Sequence, residues 1–329
     1  MNTTLCKRHV SALLCAVGLF FAGHVTAADP ANYPARPVRM IVPYAPGGGA
    51  DTLGRYVGQA LGESFGHAFV VDNRGGGGTI LGSDLAAKAA PDGYSIIMVA
   101  STHAVVSSLY KSLPFDPIRD FSPIVRVASA PNILVLHPSL PASSVKELVA
   151  LAKSRPGELV YASSGNGGGS HLAMELLRSM THIEMVHVPY KGTGPAMIDL
   201  LSGQAKLMFG GMIGTVSHVR SGRLRAIALS SMARSSVMPE VPTVAESGYP
   251  DYEATTWYGL LAPARTPAAI VQALNNRTAI VLKDAKLLSR IAALGADPSA
   301  NTPDQFAAYI RNEQVKWAKV VRESGAKPE

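Results

Sequence analysis

Residues 38–51 read VRMIVPYAPGGGAD and contain the transition around which the rest of the chain is organised. The run from Val38 to Val42 is short, mostly apolar and β-branched, which predicts a mostly buried strand. Two prolines, Pro43 and Pro46, then stop the strand. Asp51 is a typical N-cap residue, and we expect it to cap a helix over residues 52–61.

The glycines between this strand and this helix leave peptide N–H groups uncovered by side chains. A strand that leads through such a loop to a helix N-terminus directs several N–H dipoles at one place, which suits an anion such as a carboxylate. A tight strand-to-helix connection without a ligand has the same pattern. For one loop taken alone, both interpretations stay open.

The N-terminus has the three-part form of a secretory signal peptide. Two basic residues precede an apolar run at residues 10–25, which is too short to span a membrane comfortably, and small residues follow it. We expect cleavage near Ala27 or Ala28 and therefore a periplasmic protein. Cys6 and Cys15 both lie in this segment, so the mature chain is predicted to contain no thiol, disulfide or cysteine-ligated metal.

The charge balance argues against a nucleic-acid partner. The chain carries a formal net charge of +7, but the basic residues are spread out and form no run with interleaved aromatic residues. Such a modest positive balance helps to attract an acidic ligand without locating its site. The length that remains after cleavage is more than one domain usually holds.

Strand-like and helix-like segments alternate along the mature chain. Helices are predicted over residues 52–61, 80–90, 143–154, 171–180, 195–202, 215–221, 267–284 and 303–324, and strands over 68–71, 94–100, 126–136, 159–163, 184–188, 206–209 and 226–230. This rhythm is typical of parallel sheets covered by helices, in which ligands lie at the carboxyl ends of the strands.

Two such blocks, joined through extended segments, predict an α/β protein with two lobes and a cleft between them. Each lobe is expected to be a mostly parallel sheet flanked by helices. The predicted divisions are a signal peptide at 1–28, a first lobe at 29–127 and 252–329, and a second lobe at 128–251.

A second glycine loop, YASSGNGGGSHL at residues 161–172, repeats the physical features of the first in the other predicted lobe. A strand ends in two serines, glycines expose their amides, and Ser170 is placed to cap the following helix. Two facing helix N-termini would hold one anion between them. One such loop is a weak indication of a site, whereas one in each lobe is a stronger one.

Other kinds of site fit the second loop less well. Ser170 replaces the third glycine of a dinucleotide-binding G-x-G-x-x-G motif. No G-x-S-x-G motif occurs, so Ser170 and His171 are interpreted as cap and helix residues rather than as nucleophile and base. His171 and Glu175 share a helix face without an H-E-x-x-H motif, which favours a local ion pair or hydrogen bond over zinc. We therefore expect neither a cofactor nor a metal.

One aromatic pair leaves two interpretations open. Trp257 and Tyr258 follow each other in a segment rich in apolar residues. Stacking on a ligand and burial in the core are both consistent with that position.

Several motifs in a fixed order identify a family resemblance. They are VPY at 42–44, PGGGAD at 46–51, DNR at 72–74, PDGY at 91–94, YASSG at 161–165, SHL at 170–172, HVPYKG at 187–192, PEVPTVAESG at 239–248 and WYGLLAP at 257–263. With these motifs the chain resembles the Bug (TctC-like) family of extracytoplasmic solute-binding receptors of tripartite tricarboxylate transporters. One departure is Gly75, where the family often has proline.

The resemblance implies a Venus flytrap fold, as in periplasmic binding proteins, that closes over a small carboxylate and delivers it to a membrane permease. The ligand is expected to be a di- or tricarboxylate or an aromatic acid, held largely by backbone amides. The ligand-binding residues carried over are Gly47, Gly48, Ala50 and Asp51 from the first lobe and Ser163, Ser164, Gly165, Gly167, Ser170 and His171 from the second, with Tyr44, Ser101, Thr102, Tyr190 and Met212 in the cavity wall. Since a carboxylate repels an anion, Asp51 is expected to cap and fix its loop.

Two functional hypotheses follow from these residues. The first is a monomeric periplasmic receptor, without catalytic residues, for a small carboxylate. The alternative is an exported enzyme that acts on a small organic acid, with Ser170 and His171 or a metal performing the chemistry.

Overall fold

The structure is a computed structural model that describes residues 32–190 and 193–324. The strands are β1 (Val38–Val42), β2 (Phe69–Asn73), β3 (Ser95–Ala100), β4 (Phe121–Ala130), β5 (Asn132–Leu136), β6 (Val160–Ser163), β7 (Val186–Pro189), β8 (Leu207–Gly211), β9 (Arg225–Leu229), β10 (Thr256–Pro263) and β11 (Asp297–Pro298). The helices are α1 (Gly49–Phe65), α2 (Ile80–Ala87), α3 (Thr102–Leu109), α4 (Val145–Ser154), α5 (Gly169–Thr181), α6 (Thr193–Leu201), α7 (Met212–Arg220), α8 (Ala268–Val281), α9 (Ala285–Ala293) and α10 (Pro303–Ser324). The predicted signal peptide lies outside the described residues.

These elements form two sheets flanked by helices, which confirms the predicted two-lobed α/β fold. The first sheet has six strands in the order β11-β4-β10-β3-β1-β2, and the second has five in the order β7-β6-β8-β5-β9. Strand β1 is parallel to β2 and β3, and β6 is parallel to β7 and β8.

Most strands of each sheet run in one direction, as predicted, and antiparallel strands are inserted among them. Strand β10 runs antiparallel to β3 and β4, and β5 runs antiparallel to β8 and β9. The strands that receive the chain from the other sheet, β5 and β10, therefore run against those that lead into the glycine loops.

The sequence predicts a strand over residues 126–136 with a bend or an edge at Pro131, and the structure divides this segment into two strands at that residue. Strand β4 ends at Ala130 in the first sheet, and β5 begins at Asn132 in the second. Pro131 separates them because it lacks the N–H group that a continuous ladder needs. This residue is therefore where the chain crosses between the sheets.

Helix α10 packs against hydrophobic core residues of both sheets. Phe306 is fully buried and meets Trp257 of β10 edge to face, with ring centroids 5.5 Å apart. Farther along the helix, Trp317 belongs to the core of the second sheet. The indole N–H groups of Trp257 and Trp317 both donate to Oε2 of buried Glu313, at 3.1 and 2.9 Å. The lobe boundaries stay a prediction, since this one helix is shared by both cores.

A membrane-spanning helix is not found in the part of the chain that the structure describes, since none of its helices is long and apolar enough to cross a bilayer.

Replacing Phe306 with alanine tests the role of α10. The change empties a fully buried site, and we expect the free energy of unfolding in urea to fall by about 3–5 kcal/mol. Val315→Ala on the same helix is the control, because Val315 is 73% exposed and its truncation is expected to change stability by less than about 0.5 kcal/mol. Similar losses in the two variants would contradict the packing described for this helix.

Candidate functional site

A cavity of about 750 Å³ lies where strands of the two sheets end. Its wall is built from the segments that follow β1 and β3 in the first sheet and β6 and β8 in the second. Ligands of α/β proteins bind outside the carboxyl ends of such strands, because the chain turns there into helix N-termini. The fold therefore brings both glycine loops to one hollow.

Most of the predicted site residues line this cavity. They are Tyr44, Gly47, Gly48, Ala50, Ser101, Thr102, Ser164, Gly165, Gly167, Ser170 and Met212. Four predicted residues are outside its lining, namely Asp51, Ser163, His171 and Tyr190. The hydroxyl of Tyr190 donates instead to Asp199 Oδ2 at 2.6 Å. Lys191 and Gly192, which belong to a motif of the family resemblance, lie outside the described residues.

The first loop is fixed by its own helix. Helix α1 begins at Gly49 with Gly48 as N-cap, so the prediction that Asp51 is the N-cap is wrong. Asp51 lies in the first turn, where Oδ2 accepts the N–H of Gly47 at 2.9 Å. Burial by itself raises the pKa of this carboxyl, but the Gly47 N–H and the Arg55 guanidinium hold it below its usual value. Asp51 is therefore a charged acceptor that holds the loop from behind.

The second loop has the same construction. Helix α5 begins at Gly169 with Gly168 as N-cap, so Ser170 is not the cap either. His171 Nδ1 accepts the N–H of Gly167 at 3.0 Å, and Ser170 Oγ accepts the N–H of Ser164 at 2.9 Å. The segment 166–171 thus matches 46–51 position by position, with left-handed glycines at Gly167 (φ +72°) and Gly47 (φ +85°).

This construction determines which amides remain for a ligand. The N–H groups of Gly47 and Gly167 are already donated to the side chains behind them. The first N–H groups of an α-helix have no acceptor within the helix, which here leaves the amides of residues 49–51 and 169–171. These amides carry the positive ends of the two helix dipoles, so an anion placed in the cavity would be stabilised without a cationic side chain.

Strand β10 lies under both loops, which the sequence did not predict. A Cβ added to Gly49 would overlap the hydroxyl of Tyr258, and one added to Gly169 would overlap Oγ1 of Thr256. Thr256 and Tyr258 are two positions apart on this strand, so their side chains share one face, and both line the cavity. Trp257 points to the other face, into the core.

Tyr44 joins the ends of two strands in the cavity wall. Its hydroxyl accepts the N–H of Ala100 at 2.9 Å and lies 2.5 Å from Oγ1 of Thr102. Burial raises the pKa of Tyr44 to about 12, so the phenol is neutral at physiological pH. A neutral hydroxyl that is already bonded to two partners stiffens the wall beside the first loop.

The geometry around the second loop does not arrange Ser170 and His171 for catalysis. Ser170 Oγ is bonded to Ser164, and His171 Nδ1 is occupied by the Gly167 amide. A different pair, Ser163 Oγ and His187 Nε2, lies at 2.6 Å, but Ser163 is fully buried and does not line the cavity. Among the described residues there is also no cluster of three or more groups that would hold a metal ion.

Comparison with known proteins agrees with this architecture. A sequence model of the family described as "Tripartite tricarboxylate transporter family receptor" matches residues 53–326. BugT of Bordetella pertussis is 40% identical over 323 residues, which cover 97% of this chain and 99% of BugT.

Two solved structures are similar over most of their length. R. palustris Rpa4515 with adipate has a TM-score of 0.83 and 34% sequence identity, covering 90% of this chain and 100% of that one. MatC from Rhodopseudomonas palustris with bound malate has a TM-score of 0.79 and 30% identity, covering 88% of this chain and 100% of that one.

Gly167→Ala tests how closely the second loop is packed. A Cβ at this position would overlap Cδ1 of Leu109 on α3, in addition to straining a left-handed backbone. Gly222 has a similar φ of +70° and open space around it, so Gly222→Ala measures the backbone strain alone. We expect Gly167→Ala to lower the free energy of unfolding in urea by roughly 1–3 kcal/mol more than Gly222→Ala. Equal losses would show that Leu109 does not restrict the loop.

Acid is expected to destabilise the folded protein through two buried histidines and a third that is partly buried. Burial lowers the pKa of His103, His171 and His187 from 6.5 to about 4 in each case. Between those values the unfolded chain binds protons that the folded chain does not, so stability is complete above pH 6.5 and is lost as the pH falls towards 4.

Urea unfolding between pH 7 and 5 measures this loss of folding stability, in a pH range where ordinary carboxylates are still ionised. We expect uptake of roughly two to three protons on unfolding near pH 5.5. His103→Gln should lower that uptake because glutamine does not titrate. Its amide can still donate to the carbonyl of Pro117, which His103 Nε2 contacts at 2.9 Å, so the local structure is kept. A free energy of unfolding that stays constant over this range would contradict the assignment.

Proposed function

This chain belongs to the family of tripartite tricarboxylate transporter receptors, and from that premise we infer that it captures a small carboxylate outside the cytoplasm and delivers it to a membrane permease. The family consists of solute-binding receptors. The specific proposal is that one carboxylate group lies between the N-termini of α1 and α5. The observation that carries it is the pair of matching glycine loops that face one cavity.

The physical argument rests on where charge is placed. The residues that line the cavity in the described part of the chain are all uncharged. The charged Asp51 does not line the cavity. Its Oδ2 accepts the N–H of Gly47, and its Oδ1 forms an ion pair with Arg55. Helix N-termini then provide the positive potential, and bare amides provide the hydrogen-bond donors.

The similar proteins with bound ligands support a carboxylate as the ligand class. Rpa4515 is described with adipate and MatC with malate, and both ligands are carboxylates. For this chain, di- and tricarboxylates and aromatic acids remain the proposed range. A cavity of about 750 Å³ has room for any of them.

The proposed location and partner follow from the same family. The three-part signal at residues 1–28 supports export to the periplasm, with cleavage near Ala27 or Ala28. A ligand that favours the closed arrangement of the two lobes through its differential contacts would present a closed monomer to the permease. No cofactor enters this proposal.

The alternative function is an exported enzyme that acts on a small organic acid. The Ser163 and His187 pair is the observation that favours it, because 2.6 Å is a suitable distance for a nucleophile and its base. The complete burial of Ser163 argues against access by a substrate. Incubation with each acid followed by mass spectrometry separates the two functions, because a receptor returns its ligand unchanged.

A ligand panel tests the proposal directly. Adipate, malate, citrate and benzoate are titrated by calorimetry, with adipamide as an uncharged control of the same shape as adipate. We expect saturable binding of at least one acid and none of adipamide, because the helix N-termini stabilise a negative charge. A panel in which no carboxylate binds would contradict the proposed ligand class.

Gly48→Val tests whether the first loop belongs to the site. Gly48 lines the cavity, has an ordinary φ of −81°, and has no close neighbour that a side chain would strike. The variant should fold normally but bind the acid at least about tenfold more weakly, which is about 1.4 kcal/mol. Gly194→Val is the matched control, since Gly194 is exposed, has open space and does not line the cavity. Unchanged affinity in Gly48→Val would remove this loop from the site.

A further inference from the structure

The two glycine loops differ in the side chain that holds them. In the first loop, the acceptor for the left-handed glycine is the carboxylate of Asp51, and in the second loop it is the imidazole of His171. A carboxylate accepts hydrogen bonds over the whole physiological pH range. An imidazole nitrogen accepts only when it carries no proton. Acid can therefore abolish the hydrogen-bond acceptor of the second loop by protonating His171, whereas the acceptor of the first loop is retained.

The geometry fixes the protonation of His171. Nδ1 faces the N–H of Gly167 at 3.0 Å, so it must present its lone pair. The ring proton is then on Nε2, which lies 3.8 Å from Oε1 of Glu175. A second proton on Nδ1 would place two donors against each other, and the Gly167 amide would lose its acceptor.

His187 extends the same arrangement to the other end of the loop. Its ring stacks on that of His171 with centroids 4.0 Å apart and planes within 5°. Its Nε2 lies 2.6 Å from Ser163 Oγ, and that hydroxyl accepts the N–H of Gly165 at 3.2 Å. His171 thus holds the loop directly at Gly167. His187 supports the loop at Gly165 through Ser163, whether its Nε2 donates or accepts.

The charged and titratable groups around the two rings favour the neutral form. Glu175 and Arg178 come from α5 itself, and Tyr161 comes from β6 beneath. Glu175 Oε1 already accepts from Tyr161 and from Arg178 Nη1, so its charge is largely balanced by these partners and stabilises a histidine cation only weakly. Burial first, and then the Arg178 charge, lower the pKa of His171 to about 4. Burial first, and then His171, lower the pKa of His187 to about 4.

We propose that His171, stacked on His187, is a positioning residue that holds the second glycine loop in its ligand-binding shape only while the His171 ring is neutral. Acid releases the loop, and the ligand is released with it. The effect of acid on ligand binding rests on the proposed function. The contact between His171 and the Gly167 amide exists without a ligand, so that contact can be tested separately.

The first measurement is hydrogen exchange at the Gly167 amide in the ligand-free protein, corrected for the intrinsic exchange rate at each pH. We expect His171→Leu, which has no acceptor, to lower protection of this amide by about tenfold or more at pH 7.5. The conservative variant His171→Asn places a carbonyl oxygen near the position of Nδ1 and should rescue most of the protection. Wild-type protection in His171→Leu would overturn the proposal.

The pH profile separates titration from packing. As the pH falls from 7 towards 4, the wild type should lose protection at Gly167, whereas His171→Asn should keep it because asparagine does not titrate. His103→Gln is the control, since His103 is a buried histidine of the first lobe whose pKa burial also lowers to about 4. It should behave like the wild type at Gly167. An acid-induced loss of protection that is the same in His171→Asn would overturn the proposal.

The second measurement is the affinity for adipate in the same variants. We expect His171→Leu to bind about tenfold more weakly than the wild type at pH 7.5, and the wild type to weaken more steeply with acid than His171→Asn. Protonation of adipate itself affects all variants equally and cancels in the ratio. If adipate and the other acids of the panel fail to bind while the protection pattern is as expected, the positioning role is supported and the proposed ligand class is overturned.

Discussion

The structure depends on one constraint, which is that the free N–H groups at the starts of two helices must face the same hollow. An α-helix cannot satisfy its first amides by itself, and a buried amide without an acceptor is costly. In this protein α1 and α5 bring those amides from opposite sheets to one cavity. In the proposed function, an anion placed between them would satisfy both helix ends at once and would thereby favour closure of the two lobes.

Much of the surrounding architecture serves to place the two loops. Each has a left-handed glycine whose N–H is tied back by the residue four positions later, so the loop shape is set by local bonds. Strand β10 then fixes the distance between them, because Thr256 and Tyr258 lie against Gly169 and Gly49. Helix α10 contributes side chains to both cores and so limits how freely the two sheets can separate.

The sequence predicted what local chemistry determines and missed what tertiary contact determines. Both glycine loops were recognisable, because a strand, a glycine run and a helix follow each other in the chain. The roles of Asp51 and Ser170 were misjudged, since each helix begins earlier than its first polar residue suggests. Thr256 could not be assigned to the cavity, because its place there depends on β10 pairing with strands from a distant part of the chain. Aligning residues 166–171 with residues 46–51 would have indicated that His171 takes the place of Asp51 as the acceptor for the glycine N–H.

The most direct test of the account is a crystal structure of the mature protein with a carboxylate that binds it. The account predicts one carboxylate group between the two loops, with oxygen atoms within about 3.2 Å of amide nitrogens from residues 49–51 and from residues 169–171. A carboxylate held by only one loop, or bound elsewhere by charged side chains, would contradict the claim that paired helix N-termini form the site.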